Sequence, residues 1–289
     1  MFDSLQELCR LEIETGTPFW ALVQQDDCKE QGITPQANFA RMAAMYAAMR
    51  RSFTEYEAGR RSASGLVGGN GEKLAAARKN GTLQCGDFLG RVMEKALKIS
   101  ESNACMKRIV AAPTAGSCGV LPAVLLSIQE EKGLPEEQMV QALYVAGGIG
   151  GVIGHRAFLA GAAGGCQAEI GSASAMAAGS VAALLGGSAE QICHAAALAL
   201  KGLLGLACDP VAGLVEVPCV KRNVLGAVNA LTCADMAMAG ITSKIPPDEV
   251  IDAMRAIGSS MSDDIRETGR GGLAGTPTGV ALRDQVAKL

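Results

Sequence analysis

From Ile170 to Ala189 the chain runs for twenty residues without a charge, bounded by Glu169 and Glu190. That length is enough to cross a bilayer. The run is mostly Gly, Ala and Ser, however, with only two leucines, and such side chains gain little from hydrocarbon. Nearby apolar runs are broken by His155-Arg156 and by Lys201, so a membrane span is the lesser reading. The same small residues dominate elsewhere. Glycine accounts for 36 of 289 residues, against a usual ~7%, and aromatics for only 3%. A core assembled from Ala, Gly, Leu, Val and Met requires helices that approach closely, backbone near backbone.

Helix signals follow one another along the chain. Residues 3–14 form a short amphipathic pattern. Thr34-Pro35 pairs a capping threonine with a proline suited to a first helical turn. After it, Phe39, Met42, Met45, Tyr46, Met49, Phe53 and Tyr56 recur at steps of three and four, which predicts a long helix ending near Gly59. Asp87 is placed to cap a helix running to about Ser100. Pro122 suits the first turn of a helix that Gly133 ends, and Pro135-Glu136-Glu137 opens the next with carboxylates where the helix dipole favours them. Ser188 and Gln191 have the spacing of a capping box, opening a helix through about Leu203. Asn223–Ala239 reads as a helix stopped by Gly240, and Pro246-Pro247-Asp248-Glu249 starts the last, ending near Gly258. No stretch sustains period-two alternation, and neither an internal repeat nor a linker divides the chain. The expected architecture is mainly α: a single compact multi-helix domain over 1–289, with residues 1–60 as an N-terminal helical arm, glycine-rich loops at the active site and little or no sheet.

The formal net charge of −3 gives no reason to expect nucleic acid or an acidic membrane surface as partner. Ten cysteines in a long chain whose first residues lack a basic and then apolar leader predict a cytoplasmic protein with reduced thiols. Metal ligation or catalysis is then open to a few of the ten, and burial to the rest.

Three cysteines stand out by their setting. Cys166 follows a glycine pair, Cys208 precedes Asp209-Pro210, and Cys219 follows Pro218. Proline disfavours helical geometry at the residue before it, so these thiols sit at the ends of elements, where they can point at something. Their separations, 208 − 166 = 42 and 219 − 208 = 11, match no zinc or ferredoxin spacing. Cys9, Cys28, Cys85, Cys105, Cys193 and Cys233 have no such setting and read as packing, while Cys118 is intermediate. Two further loops carry polar chemistry. Residues 60–73 contain Ser62, Ser64 and Gly65 but lack the Gly-Lys-Ser/Thr ending of a phosphate loop. They read equally as a connector or as a backbone cradle for a small anion. Residues Thr114–Gly119 lie at a helix N-terminus, where free N–H groups favour a carboxylate or phosphate, although Ser117 can equally serve as a cap. The only histidines, His155 and His194, read first as structural.

Three stretches are more specific than their spacing: Pro-Thr-Ala-Gly-Ser-Cys-Gly-Val-Leu-Pro-Ala (113–123), Gly-Gly-Cys-Gln-Ala-Glu-Ile-Gly (164–171) and Cys-Asp-Pro-Val-Ala-Gly-Leu-Val-Glu-Val-Pro-Cys (208–219). With Ser-Ala-Ser-Gly-Leu (62–66) and Arg-Gly-Gly-Leu-Ala (270–274), in matching order over nearly the whole chain, they resemble the alpha chain of the iron–sulfur L-serine dehydratases. The resemblance implies a [4Fe–4S] cluster on Cys166, Cys208 and Cys219, with one iron open to L-serine as a Lewis acid for the departing hydroxyl. It implies that Ser62, Ser64 and Gly65, with Thr114, Ala115, Gly116 and Ser117, hold the substrate's carboxylate or amine. It also implies a separate beta chain, whose Ser-Ser-His-Thr stretch carries a candidate catalytic histidine. Where members of that family often have Asn-Ala-Ser or Asn-Ala-Thr, this chain has Arg156-Ala157-Phe158, and no cysteine follows Cys233. Were the base to come from within this chain, Lys107 and His155 are the first residues to test. The rival expectation is a non-enzymatic helical scaffold or small-molecule-binding subunit with buried thiols.

Overall fold

A computed structural model describes residues 2–289. Among them thirteen α-helices account for the architecture, with no strand beyond one isolated bridge. They are α1 (Leu5–Thr15), α2 (Phe19–Gln31), α3 (Pro35–Thr54), α4 (Asn70–Lys79), α5 (Gly86–Ala104), α6 (Val120–Lys132) and α7 (Glu136–Arg156). Then come α8 (Gly161–Gly164), α9 (Ser172–Leu184), α10 (Ala189–Lys201), α11 (Cys219–Met238), α12 (Pro247–Ser260) and α13 (Pro277–Val286).

The uncharged run becomes the centre of the molecule. Most of it is α9, which is buried along nearly its whole length and packed on all sides by α6, α7, α10 and α11. Close packing is what its composition permits. A Cβ on Gly226 of α11 would lie 2.8 Å from Ile170 Cγ2, and one on Gly150 of α7 would lie 2.9 Å from Met176 Sδ, so any larger residue would push the layers apart. Two serines of α9 spend their hydroxyls on backbone. Ser180 Oγ donates to the Ala142 and Met176 carbonyls at 2.9 and 2.8 Å, and Ser174 Oγ donates to Gly226 O at 2.8 Å, which removes most of the penalty of burying a hydroxyl. Among the described residues no helix is long and apolar enough to cross a membrane.

Local caps behave as their chemistry requires. Thr34 caps α3, Gly133 closes α6 in the left-handed conformation, and Ser188 with Gln191 forms the capping box of α10. Several sequence expectations are corrected. Helices α2, α4 and α13 lie where no pattern predicts one, so α12 is not the last helix. Helix α3 stops at Thr54, and Met45 is exposed. Cys85, not Asp87, occupies the N-cap of α5, and Asp87 instead pairs with Arg78 at 2.9 Å. Helix α11 begins at Cys219, four residues before Asn223. In the first sixty residues, α1 packs on α10 and α12, α2 on α7, and α3 on α7 and α5.

Two connections set up the site. The loop from Gly59 to Gly69 is anchored at its far end, where the N–H groups of Asn70 and Gly71 donate to the Glu101 carboxylate at 2.8 and 3.2 Å. The segment after α12 folds back onto the loop that leads towards α11. Cys208 N donates to Ile265 O at 2.8 Å, Glu267 N donates to Cys208 O at 2.7 Å, and Leu273 N donates to Asp209 Oδ2 at 2.7 Å.

Candidate active site

The three cysteines singled out by their settings are all buried at element ends. Cys166 precedes five residues of π-helical hydrogen bonding, Gln167–Gly171, that lead into α9; Cys208 lies in the bridged loop; Cys219 is the first residue of α11. Their environment is shared. The Cys166 thiol is pulled below its ordinary value, first by its hydrogen bond with Cys208 and then by the Arg222 guanidinium working against burial. Cys208 is pushed up, first by that same bond and then by burial. Burial, with the charges of Cys166 and Glu169, pushes Cys219 up to about 12.

Glu169, one turn beyond Cys166, faces this group. Its Oε2 lies 3.7 Å from Cys208 Sγ, and its Oε1 accepts from Thr114 Oγ1 at 2.6 Å. Burial raises its pKa, and the Thr114 hydrogen bond opposes that rise. Glycine is needed on two sides of this carboxylate. A Cβ on Gly161 would stand 2.8 Å from both Cys208 Sγ and Glu169 Oε2, and one on Gly116 would stand 3.0 Å from Glu169 Oε1. Arg222, one turn into α11, supplies the positive charge. It pairs with buried Asp209 at 2.8 Å and donates to Ala207 O at 2.8 Å, fixing the loop that carries Cys208.

The two polar loops meet the first turns of α11. Thr114 begins a short 3₁₀ turn, Ala115–Ser117, ahead of α6. Asn223, almost fully buried, joins that turn to the cysteine helix: its Oδ1 accepts from Gly119 N at 2.8 Å, and its Nδ2 donates to Gly116 O at 2.8 Å and Cys219 O at 2.9 Å. Asn103 Nδ2 donates to Ala115 O at 3.0 Å. In the other loop, Ser62 Oγ and Ser64 Oγ both donate to one oxygen of Glu216, at 2.8 and 2.5 Å, and Gly65, with a positive φ, closes the turn that holds both serines by donating its N–H to Ser62 O at 3.0 Å. Glu216 is buried, stands three residues before Cys219, and has no ion-pair partner among the described residues. Sequence reading missed Glu169, Glu216, Arg222 and Asn223 as functional residues. The first two lie within the stretches quoted above, but nothing local distinguishes them from other carboxylates.

Lys107 and His155 are placed elsewhere. Lys107 pairs with Glu57, and His155 is exposed with Nε2 3.4 Å from Asp3. Neither makes a hydrogen bond or ion pair with the thiols, Glu169 or Glu216. Cys118 is buried beneath its loop, and burial pushes its thiol up to about 12.

Among the described residues, no three His, Cys, Asp or Glu side chains are gathered closely enough to hold a metal ion as they stand. The donor set nonetheless fits an iron–sulfur group. Thiolates are its ordinary ligands, the three buried thiols lie near enough to perturb one another electrostatically, Arg222 offsets charge on Cys166, and Gly116 and Gly161 keep the space beside Glu169 and Cys208 free of side chains.

Comparison with known proteins shows the family. Residues 14–274 match the family described as serine dehydratase alpha chain. A protein of Bacillus subtilis named as a probable L-serine dehydratase alpha chain is 45% identical over 286 residues, covering 99% of this chain and 95% of its own. The L-serine dehydratase alpha chain of Peptoniphilus asaccharolyticus is 39% identical over 100% of this chain and 99% of its own. A longer L-serine dehydratase of Streptomyces coelicolor is 39% identical over 94% of this chain but only 60% of its own length. The chain belongs to the serine dehydratase alpha chain family.

Proposed function

We propose that this chain is the alpha chain of an L-serine dehydratase, converting L-serine to pyruvate and ammonia, with a [4Fe–4S] cluster held by Cys166, Cys208 and Cys219. The observation that carries the reading is convergence: three thiols and two hydroxyl-bearing loops gather around the first two turns of α11, in a chain of this family. The cluster, when bound, supplies a Lewis acid for the departing β-hydroxyl.

The remaining work falls to this chain's own residues and a partner. Glu216 is a buried carboxylate without a cation among the described residues, so it suits the substrate ammonium, with Ser62 and Ser64 fixing its oxygen. Because those hydroxyls already donate to Glu216, the substrate carboxylate belongs at the other loop, on the N–H groups and hydroxyls of residues 114–117. Glu169, held by Thr114 beside Cys208, orders that wall of the site. Loss of the Cα proton and of hydroxide gives aminoacrylate, which tautomerises and hydrolyses. Because Lys107 and His155 are engaged elsewhere, the base is assigned to a beta chain, consistent with a longer relative of which this chain spans 60%. A cluster with an open iron also calls for a reducing compartment, the cytoplasm.

The test is anaerobic purification with and without the beta chain, followed by absorbance, iron content and pyruvate formed from L-serine. Cys→Ser at 166, 208 or 219 should abolish the cluster spectrum and turnover, while Cys28→Ser should retain both. A colourless wild-type chain that takes up no iron on reconstitution would favour a scaffold, and full iron content in Cys208→Ser would overturn the ligand assignment.

A further inference from the structure

A second pair of thiols lies on another face of the molecule, away from the proposed chemistry. Cys9 on α1 and Cys193 on α10 are 184 residues apart in sequence, yet their Sγ atoms stand 2.9 Å apart. A disulfide needs about 2.05 Å, so less than an ångström separates this pair from bonding distance. Each thiol also meets backbone of the opposite helix region: Cys9 Sγ reaches Ala189 O at 3.2 Å, and Cys193 Sγ reaches Leu5 O at 3.7 Å. The two helices are thus already docked in register, and closure asks for side-chain rotation rather than chain movement.

Access is asymmetric. Cys193 is 2% exposed, whereas Cys9 is half-buried and lines two surface cavities, of about 590 and 740 Å³. The larger also reaches Cys193, His194 and Arg156, leaving room for a small peptide-like reagent. Cys193 is held strongly as the thiol by its bond with Cys9 and by burial. Cys9 is therefore the attacking sulfur and Cys193 the resolving one.

We propose that Cys9 and Cys193 form a reversible disulfide that staples α1 to α10, with a low-molecular-weight disulfide as oxidant. The Cys9 thiolate attacks the reagent, forming a mixed disulfide and releasing one thiolate. That thiolate takes the Cys193 proton. The Cys193 sulfur then attacks Cys9 Sγ and expels the second reagent thiolate. Two protein thiols are oxidised, and one reagent disulfide is reduced to two thiols. The staple adds a covalent tie to a helix whose N-terminus is already held by Asp248 of α12, which accepts from Leu5 N and Gln6 N at 2.8 and 3.0 Å.

The experiment equilibrates the full chain, under argon, with mixtures of reduced and oxidised glutathione. Free thiols are then trapped with N-ethylmaleimide and peptides are mapped by mass spectrometry. A Cys9–Cys193 cross-linked peptide is expected, lost on adding dithiothreitol. The oxidised form should show slower amide exchange over residues 5–15 and melt higher by about 5 °C or more. In Cys193→Ser a glutathione adduct should persist on Cys9, and in Cys9→Ser the Cys193 thiol should stay free. A stable adduct on Cys9 of the wild-type chain with Cys193 still alkylatable would overturn the proposal. So would both thiols remaining free in fully oxidised glutathione.

Discussion

Replacing Asn223 with alanine removes the one side chain that ties the 114–119 turn to the cysteine helix. Three hydrogen bonds go, at 2.8, 2.8 and 2.9 Å. The Gly119 N–H suffers most, because it lies at a helix start, is buried, and has no intrahelical acceptor. An orphaned buried donor costs about 1–3 kcal/mol, and each further lost bond about 1 kcal/mol. The total is about 3–5 kcal/mol, or a fall in Tm of roughly 5–8 °C for a chain of this size. Asn223→Asp should do no better. Its carboxylate still accepts from Gly119 N but faces the Gly116 and Cys219 carbonyls with an acceptor where a donor is needed. Urea unfolding of both variants, compared at unchanged slope, measures the loss. In the complex with a beta chain, Asn223→Ala should also raise KM for L-serine, because the turn assigned to the substrate carboxylate loosens. A loss below about 1 kcal/mol in the alanine variant, or an aspartate variant as stable as wild type, would refute the reasoning.

Glu12 gives a pH-dependent outcome. Burial raises its pKa, and Oε2 lacks a partner, so the folded chain holds this proton more tightly than the unfolded one. Wild-type stability is then lost as pH rises from the ordinary carboxylate value, about 4.3, through the raised one. The advantage of Glu12→Gln should grow across that window and then level off; a difference independent of pH would contradict it. Gly258→Ala places a Cβ 2.9 Å from Gly164 Cα and 3.2 Å from Gln167 Nε2; it should cost about 1–3 kcal/mol and lower iron uptake by disturbing the Cys166 turn. Gly147→Ala, on an exposed face of α7 with nothing within 4 Å of its Cβ, should instead stabilise by about 0.5–1 kcal/mol. Lys107→Met and His155→Ala should leave kcat of the complex within about twofold, and a hundredfold loss in either would return the base to this chain.

What was legible in the sequence is what local chemistry writes. Thr34, Gly133, Pro135, and Ser188 with Gln191 mark helix ends by interactions within a few residues, and all four act there as read. Helix α4 was not legible, because its first N–H groups are satisfied by Glu101, thirty residues on, and its N-cap is a glycine without a side-chain acceptor. Helix α2 likewise follows Pro18 without a side-chain cap. The same division runs through the site. The loop-end settings of Cys166, Cys208 and Cys219 are backbone features that Gly and Pro announce. The partnerships Thr114–Glu169, Ser62–Glu216 and Asn223–Gly119 span 55, 154 and 104 residues, and only the fold can reveal them.

The fold-back of residues 265–273 onto Cys208 and Asp209 has a consequence for biosynthesis. Chains leave the ribosome at about 5–20 residues per second. Cys208 therefore emerges roughly 3–11 s before Ile265, whose carbonyl receives its backbone N–H. Leu273, which completes the hold on Asp209, emerges later still. Once Cys219 has followed, eleven residues behind Cys208, all three thiols are outside the tunnel before the segment that bonds Cys208 and Asp209 has emerged. Nascent chains are thus the form in which these thiols are most open, both to loading of the proposed cluster and to damage by oxidants.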